Sequence, residues 1–342
     1  MISRNDLQSI KIIPLLDTLR LEKIDDNTYF SSKYSKFISN SRLSKIDPNN
    51  GGSPEKFFGK IEPFYTPSLA IGSAVHELTL QNNLFVLSEI DKPTAKMGIL
   101  ADELYKLGHI PYKEEIIEFA KKIDYYGGNL SENQIQNVYD KCGDYWLKRR
   151  DFETLNFDTR EVIYLDKKSR EIVRNCVTAL SNNRYVQEIL HQKDLFENDV
   201  ISEMEKAILL DIEVTMPGGK EFILRLKSKL DNYTINIKSN NIYVNDVKTL
   251  GRVLSEFSNN IDKYSYNREL AMYSWLLSLC AKKFYDMDNP TIGGNYLVVS
   301  TIPNYYTKVV PMTKQMYQEG WNEFKFLLKL VAYYYNEGYG FE

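Results

Sequence analysis

The pattern of apolar and polar residues along the chain changes in character near residue 200. Before that point apolar residues recur at helical spacing, and after it they form short runs rich in β-branched and aromatic side chains. The pattern predicts helices at about 6–20, 95–107, 113–124, 131–149, 166–181 and 183–193. A further helix is expected to begin at Pro67, since proline suits the first helical position and Thr66 can cap it.

The part of the chain after residue 200 is predicted to begin with an antiparallel meander. Its strand-like runs are "ISEMEKAILLDIEVTM", "KEFILRLKSKLD", "YTINIK" and "NIYVNDVKT", with turns at 217–219, Asn232 and 239–241. A helix over 263–284, strands at "NYLVVST" and "YYTKVVPM", and a terminal helix over 313–336 follow. This order predicts an α/β or α+β protein, in which a mixed central sheet is flanked by helices. We expect residues 1–200 to form a mainly helical N-terminal part and residues 201–342 the core, together as one compact unit.

Composition narrows the class of protein only a little. The 342 residues carry a net charge of −3, and the three cysteines are Cys142, Cys176 and Cys280. Few, scattered cysteines argue against a disulfide framework and against a Cys-rich metal site. The sequence has no apolar run of about 18 residues and no signal-peptide pattern, so we expect no membrane span and a cytoplasmic location. A charge near zero neither suggests nor excludes nucleic acid as a partner.

The strand-like segment "IYVNDVKTL" ends in charge where its pattern predicts core. Side chains alternate across a strand, so one face carries, in order, Ile242, Val244, Asp246 and Lys248. If "LKSKLD" lies in the same antiparallel sheet, Asp231 comes close to Asp246. Two carboxylates suit a hard cation such as Mg²⁺, and a lysine can hold a water or offset phosphate charge. The alternative is that Asp246 and Lys248 form a solvated strand end.

Two predicted helices carry polar residues that have a chemical use. His76 lies on an apolar stripe, with the small residues Gly72 and Ser73 about one turn before it. Imidazole binds divalent metals, although a lone histidine on such a stripe is often a satisfied core residue. Glu269 and Tyr273 are four residues apart on one face of the helix over 263–284. The alternative there is an amphipathic helix with a buried tyrosine whose hydroxyl is satisfied.

Four short motifs occur in an order that resembles the motif series of the PD-(D/E)XK nucleases: "GSAVHEL", "LKSKLD", "VNDVKT" and "YNRELAMY". The series is similar to that of the RecE-like and RecB-like (phage-type) exonuclease branch. In that branch a histidine helix precedes an aspartate, a D/E-x-K strand and a Q-x-x-x-Y helix. The resemblance covers about residues 37–82 and 203–275, and it implies a restriction-endonuclease-like core. The chain departs from the branch at Glu269, where glutamine is usual.

The resemblance implies a role for each residue that matches a motif. The implied metal ligands are His76, Asp231, Asp246 and the backbone carbonyl of Val247, with Glu205, or in second place Glu203, as an acidic helper. Lys248 would orient or activate the attacking water. Tyr273, with Glu269 one turn before it, would lie near the scissile phosphate. The implied cofactor is one or two Mg²⁺ or Mn²⁺ ions.

The implied function is a metal-dependent DNA exonuclease that hydrolyses phosphodiester bonds in linear duplex or single-stranded DNA, in phage or bacterial recombination or replication. A recombination partner protein and a homo-oligomer are further expectations. The basic residues expected to contact DNA phosphates are Arg225, Lys227, Lys229, Lys148, Arg149 and Arg150. Three alternatives stay open: an endonuclease of the same fold, a degenerate nuclease that only binds DNA or a partner, and a structural protein with chance motif matches.

Overall fold

The computed structural model describes residues 7–60, 66–155, 158–192 and 199–341. The chain divides into two compact units. The sheet unit comprises Met1–Pro63, Leu180–Ser300 and Tyr306–Glu342, and the helical unit comprises Phe64–Ala179 and Thr301–Tyr305. These bounds differ from the predicted division at residue 200, because residues near the N-terminus add two strands to the main sheet. Within the described ranges, no helix is long and apolar enough to cross a membrane.

The described residues form nine strands and twelve helices, numbered in chain order. The strands are β1 (Lys11–Pro14), β2 (Arg20–Lys23), β3 (Phe85–Leu87), β4 (Glu161–Ile163), β5 (Val200–Thr215), β6 (Glu221–Asn236), β7 (Asn241–Leu250), β8 (Thr291–Ser300) and β9 (Thr307–Pro311). The helices are α1 (Asp26–Tyr29), α2 (Asn40–Leu43), α3 (Pro54–Phe58), α4 (Pro67–Leu80), α5 (Ala95–Tyr105), α6 (Lys113–Lys122), α7 (Glu132–Leu155), α8 (Lys167–Asn182), α9 (Arg184–Leu190), α10 (Phe257–Lys263), α11 (Tyr266–Tyr285) and α12 (Lys314–Asn336).

The sheet unit is built on one mixed sheet. Its strands lie in the order β1-β5-β6-β7-β8-β9, and β2 also pairs with β5. Neighbouring strands are antiparallel except β7 and β8, which are parallel. A parallel pair needs a long crossover connection, and the segment that carries α10 and α11 provides it. The predicted α/β (α+β) class, with a mixed central sheet flanked by helices, is confirmed. The antiparallel meander is present with three strands, β5, β6 and β7, because the second and third predicted runs form the single strand β6.

The sheet unit buries both faces of β5. Ile208 and Leu210 belong to the main core, together with residues of α11 and α12. Ala207 and Leu209 point to the opposite face and join a smaller cluster that includes Tyr29. Because successive side chains alternate, a strand buried on both faces needs a nearly continuous apolar run, which the segment "AILLDI" supplies.

The helical unit packs α5, α6 and α7 around its own apolar core. Leu100 of α5, Ile116 of α6 and Val138 of α7 are fully buried in it. A short parallel pair, β3 with β4, lies in the same unit. Helix α4 begins at Pro67 as predicted, and the Thr66 hydroxyl accepts a hydrogen bond from the Leu69 amide at 3.1 Å. Elsewhere in the chain the predicted helices are confirmed as α5 to α9, α11 and α12, with small shifts at their ends.

Two local predictions are wrong. Residue 6 lies outside the described residues, and most of 7–20 is not helical because it contains β1 and the start of β2. Pairing of the β-branched Ile12 and Ile13 with β5 outweighs the helical periodicity of this segment. Asn232 is no turn residue but lies inside β6, where its Oδ1 accepts a hydrogen bond from Asn245 Nδ2 at 2.7 Å. Asn295 Nδ2 donates in turn to Asn245 Oδ1 at 2.8 Å, so three amides link β6, β7 and β8.

A fully buried arginine joins α11, α12 and the segment around α2. The Arg268 Nη1 lies 2.6 Å from Glu323 Oε1 of α12 and 3.7 Å from Asp47 Oδ2. Its Nε donates to Asn40 Oδ1 at 2.8 Å, and its Nη2 donates to Ser44 Oγ at 2.6 Å. A buried charge is tolerated when it is paired and hydrogen-bonded, so this network fixes the N-terminal segment against the helices that flank the sheet.

Replacing Arg268 with methionine is expected to lower the free energy of unfolding by about 3–5 kcal/mol, because the carboxylates of Asp47 and Glu323 lose their cation. Urea denaturation followed by circular dichroism measures this loss. The matched control is Arg252→Met, since the exposed pair of Arg252 with Glu256 contributes little to stability. Equal losses in the two variants would contradict the role assigned to the buried network.

Candidate active site

The candidate site lies where β6 and β7 separate. Their pairing ends at Asn232 and Asn245, and beyond it β7 continues beside β8 alone. The amide of Val247 is therefore not paired with β6, and it donates instead to Asp231 Oδ2 at 2.7 Å. The N–H and C=O of one residue point the same way in an extended strand, so the Val247 carbonyl faces the same gap. The structure thus brings Asp231 to the residue next to Asp246.

The face of β7 that carries Asp246 is buried from its start. Ile242 and Val244 belong to the main core, and Asp246 is only 3% exposed. The alternative of a solvated strand end is therefore wrong for Asp246, because the strand is covered on this face by α11 and its neighbours.

Lys248 lies between two carboxylates. Its Nζ is 2.8 Å from Asp246 Oδ2 and 2.8 Å from Glu269 Oε2 of α11. The Tyr273 hydroxyl donates to Glu269 Oε1 at 3.3 Å, so the two residues four apart on α11 both face the strand. The ammonium also lies 4.7 Å from the centre of the Tyr266 ring, a cation–π distance. Strand β7 and helix α11 together hold the ammonium in place.

The acids around Lys248 outnumber the base. Burial raises the pKa of Asp246 well above its ordinary value, and the charges of Asp231 and Glu269 raise it further against the opposing effect of Lys248. Burial acts to lower the pKa of Lys248, but the three carboxylates outweigh it and raise this pKa well above the usual range. Burial, and then Glu269, also raises the pKa of Tyr273. The lysine therefore stays charged, and Asp246 holds a proton more readily than an ordinary carboxyl group does.

Glu205 and Asp231 lie between two register pairs of β5 and β6, Met204 with Asn232 and Lys206 with Leu230. A carboxylate oxygen of Glu205 is within 4.8 Å of one of Asp231. Lys229 Nζ lies 2.7 Å from Glu205 Oε2, so this buried acid has a cation beside it. Glu203, the second choice for an acidic helper, accepts a hydrogen bond from the Tyr233 hydroxyl at 2.5 Å. Glu205 is therefore the better placed of the two glutamates.

The strands are irregular at this point. Glu205 has a φ of +57°, in the left-handed region that non-glycine residues rarely adopt. On β6 the core-facing residues are Leu226 and Leu230 before Asp231, but Tyr233 and Ile235 after it. The alternation of the strand therefore shifts by one residue at Asp231, and regular strand geometry is broken where the candidate ligands lie.

The donor set fits a hard divalent cation. Asp246 Oδ2 is buried and lies 2.8 Å from Lys248 Nζ, so the ammonium is its ionic partner in this structure. Carboxylate oxygens and a backbone carbonyl are the donors that Mg²⁺ and Mn²⁺ prefer. The acids and the Val247 carbonyl therefore suit the predicted metal.

His76 lies on α4, where it is partly buried. It belongs to the helical unit, whereas Asp231 and Asp246 belong to the sheet unit. Its role as a metal ligand stays a prediction from the motif series.

Two of the lysines expected to contact DNA have their charges engaged inside the sheet unit. Lys227 is 7% exposed, and its Nζ donates to the Tyr29 carbonyl at 2.8 Å. Burial, and then the charge of Arg42, lowers the pKa of Lys227 to about 8. Lys229 bridges the carboxylates of Glu205 and Asp26. The contact of these lysines with DNA stays a prediction, and in this structure they serve the fold and the acidic helper.

Arg149 of the helical unit is also held by protein partners. Its guanidinium lies between the rings of Tyr105 and Tyr164, at 4.1 and 4.4 Å from their centres. It pairs with Asp102 at 3.1 Å and with Glu153 at 2.8 Å. The side chains of the other three predicted contacts are exposed: Arg225, Lys148 and Arg150. Their contact with DNA likewise stays a prediction.

The sequence analysis missed two side chains of the site, Tyr296 and Asp26. A third, Tyr266, lies one turn before Glu269, as helical spacing predicts, and the centre of its ring is 4.7 Å from Lys248 Nζ. Tyr296 is the register partner of Asp246 on parallel β8, and burial, followed by the charge of Asp246, raises its pKa. Asp26 lies 203 positions before Lys229 in the chain, and its carboxylate accepts a hydrogen bond from the Lys229 ammonium. No local pattern marks Tyr296 or Asp26, because tertiary contacts alone bring them in.

Comparison with known proteins adds little to this geometry. No protein-family model matches the chain, and no curated protein matches it. One similar crystal structure is that of a protein from Eubacterium rectale named "Putative exonuclease". The match has 10% sequence identity and a TM-score of 0.46, and it covers 92% of this chain and 88% of the other. A likeness at this level leaves the function to be argued from the site itself.

Mn²⁺ is expected to raise the melting temperature of the protein, because a ligand that binds only the folded state stabilises it by about 2.7 kcal/mol at a hundred times its dissociation constant. The Asp246→Asn variant is expected to lose most of this rise. Differential scanning calorimetry with and without Mn²⁺ measures both. The control is Asp288→Asn, which alters an exposed acid paired with Lys282. A Mn²⁺-dependent rise that survives unchanged in Asp246→Asn would exclude Asp246 as a ligand.

Proposed function

We propose that the protein is a Mg²⁺- or Mn²⁺-dependent deoxyribonuclease that acts as an exonuclease. The observation that carries the proposal is the buried Asp246–Lys248 pair, with Asp231 bonded to the residue between them. Simple DNA binding needs no lysine buried among carboxylates, since burying such charges costs free energy. Phosphodiester hydrolysis does use this combination, to hold a cation and to position a water.

Each residue of the site has a task in this proposal. A bound divalent cation would polarise the scissile phosphate and lower the pKa of a bound water. Asp231, Asp246 and the Val247 carbonyl would hold it, with Glu205 as a further oxygen donor. Lys248, a compact charge with three N–H donors, would orient the attacking water or stabilise a phosphate oxygen. His76 as a nitrogen ligand, and Tyr273 beside the phosphate, complete the assignment that the motif series implies.

Glu269 gives the proposed site a property of its own. Where the resembling branch usually has glutamine, this chain has a carboxylate that forms an ion pair with the Lys248 ammonium. The extra charge helps to keep Lys248 protonated and fixes its direction. The same charge repels a phosphate that approaches the lysine. Glu269 is therefore expected to weaken DNA binding while it orients Lys248.

The exonuclease mode rests on the order of the motifs, because a fold and a metal site do not fix the mode of attack. An endonuclease of the same fold is the second candidate. A DNA-binding protein without catalysis is favoured by one observation, the saturation of Lys248 by two carboxylates. Action in phage or bacterial recombination or replication, with a partner protein and as a homo-oligomer, belongs to the proposal on the same motif evidence.

The purified protein is expected to degrade linear DNA in the presence of Mg²⁺ or Mn²⁺ and to leave closed circles intact. Lys248→Ala and Asp246→Asn are expected to lower the rate by about a hundredfold or more, because they remove charge stabilisation at the reacting phosphate. Gel assays on linear, nicked and closed-circular DNA measure both effects. Lys282→Ala, an exposed lysine on the same helix as Glu269, is the control.

Each outcome of this assay decides between the candidates. Cutting of closed circles would replace the exonuclease by the endonuclease. DNA binding without any metal-dependent cleavage would contradict both the exonuclease and the endonuclease assignment. Full activity in His76→Ala would remove that residue from the proposed ligand set while leaving the rest intact.

Glu269→Gln, the residue usual in the resembling branch, is expected to bind DNA a few-fold more tightly, because one negative charge near the phosphate is removed. Fluorescence anisotropy of labelled linear DNA in Ca²⁺ buffer measures the dissociation constant without relying on turnover. Glu319→Gln, on the exposed part of α12, is the control. Weaker DNA binding in Glu269→Gln would instead favour a direct role for this carboxylate in holding the cation.

A further inference from the structure

The helical unit contains a cleft that the proposed nuclease site does not use. Its volume is about 560 Å³, within the range of small-molecule sites. It lies between the start of α5, the turn at 125–126 and the middle of α7. The side chains that matter for its chemistry are Lys92, Lys96, Lys141, Tyr125, Tyr126 and Asn137.

The lining of the cleft favours an anion. Lys141 is exposed and forms no ion pair with any described residue. Lys96 Nζ lies 3.3 Å from Asp124 Oδ2 in an exposed pair, which contributes little and can be exchanged for a ligand. Asp91, an acid at the same cleft, has its charge offset by Arg170 at 2.7 Å. A phosphate that enters the cleft therefore meets Lys141, which has no ion pair among the described residues, and competes with the Asp124 carboxylate for Lys96.

On the buried side of the cleft, Lys92 is 9% exposed and pairs with Asp102. The same carboxylate accepts hydrogen bonds from Arg149 at 3.1 Å and from the Tyr145 hydroxyl at 2.7 Å. Lys92 is therefore engaged by the protein, and the cations that face a ligand are Lys96 and Lys141.

Two tyrosine rings provide a flat surface in the same cleft. The centres of the Tyr125 and Tyr126 rings are 4.6 Å apart, and Tyr126 is 58% exposed. Tyr126 has a φ of +51°, and so does Asp124, while Ala95 on the facing segment has a φ of +53°. Left-handed backbone at non-glycine residues is strained and tends to cluster at ligand sites. Strained backbone therefore holds Tyr126 outward at this cleft.

We propose that this cleft binds a nucleoside phosphate, with the base stacked on Tyr126 and the phosphate held by Lys141 and Lys96. Stacking on an aromatic ring beside a basic groove is the physical basis of single-strand recognition. A base inside a duplex keeps both faces stacked on its neighbours, so the ligand is a free nucleotide or a nucleotide of single-stranded DNA. The cleft is complete within the helical unit, and the inference does not require that the protein cleaves DNA.

The test measures binding in EDTA with the Asp246→Asn protein, so that no cleavage occurs. Calorimetry with thymidine monophosphate tests the free nucleotide, and anisotropy with a labelled oligothymidylate tests the strand. Tyr126→Asn removes the ring but keeps a residue that tolerates the left-handed backbone. It is expected to weaken binding about tenfold. Lys141→Gln is expected to weaken binding and to reduce its salt dependence.

Lys106→Gln is the matched control, because Lys106 is an exposed lysine at the other end of α5. Binding of the nucleotide, the oligonucleotide or both that falls in Tyr126→Asn and Lys141→Gln, but not in Lys106→Gln, supports the proposal and identifies the source of the ligand. Equal affinity in all variants overturns it, as does the absence of any binding. Displacement of the nucleotide by an equal concentration of inorganic phosphate overturns the stacking of the base.

The two proposals fail separately. If the protein cleaves no DNA while Tyr126→Asn still weakens nucleotide binding, the nuclease assignment falls and the cleft stands. If cleavage depends on Asp246 and Lys248 while the cleft variants bind and cleave as the wild type does, the cleft assignment falls alone.

Discussion

A backbone amide that leaves its sheet partner must find another acceptor, and in the sheet unit this constraint organises the candidate site. When β6 and β7 separate beyond Asn232 and Asn245, the amide of Val247 bonds to the Asp231 carboxylate. The three-amide ladder of Asn232, Asn245 and Asn295 fixes the strands up to that point. The point where β6 and β7 separate is therefore fixed, and it determines that Asp231 bonds to Val247 at the charged end of β7.

The second consequence of the split is an imbalance of charge. Asp231, Asp246 and Glu269 act on one ammonium, that of Lys248, in a region with little solvent. Without a bound cation, proton uptake by Asp246 relieves this imbalance, because burial and the charges of Asp231 and Glu269 raise the pKa of that acid well above its ordinary value. A divalent cation held by the same carboxylates would take the place of that proton.

Basic residues illustrate why composition gives little information on DNA contact. Lys227 bonds to the Tyr29 carbonyl, and Arg149 is enclosed by tyrosine rings and two acids. Such residues look like surface cations in the sequence, since a strand or a helix with alternating charge is typical of a solvated face. The charged end of a long side chain can, however, be buried when the protein provides hydrogen-bond acceptors for it. A basic side chain such as Lys141 can bind an anion because it forms no ion pair with any described residue. Only the folded structure shows which basic residues have such pairs.

The sequence by itself determined most helices, the meander of β5 to β7 and the shared face of Asp246 and Lys248, because these follow from local periodicity and from alternation along one strand. It also brought Glu269 and Tyr273 to one face of α11, since helical spacing is local too. The tertiary structure alone decided that residues 11–23 pair with β5, that Asn232 stays inside β6, and that Glu205 rather than Glu203 lies beside Asp231. Each of these depends on contacts between segments far apart in the chain, and no local pattern encodes which distant partner a residue will meet.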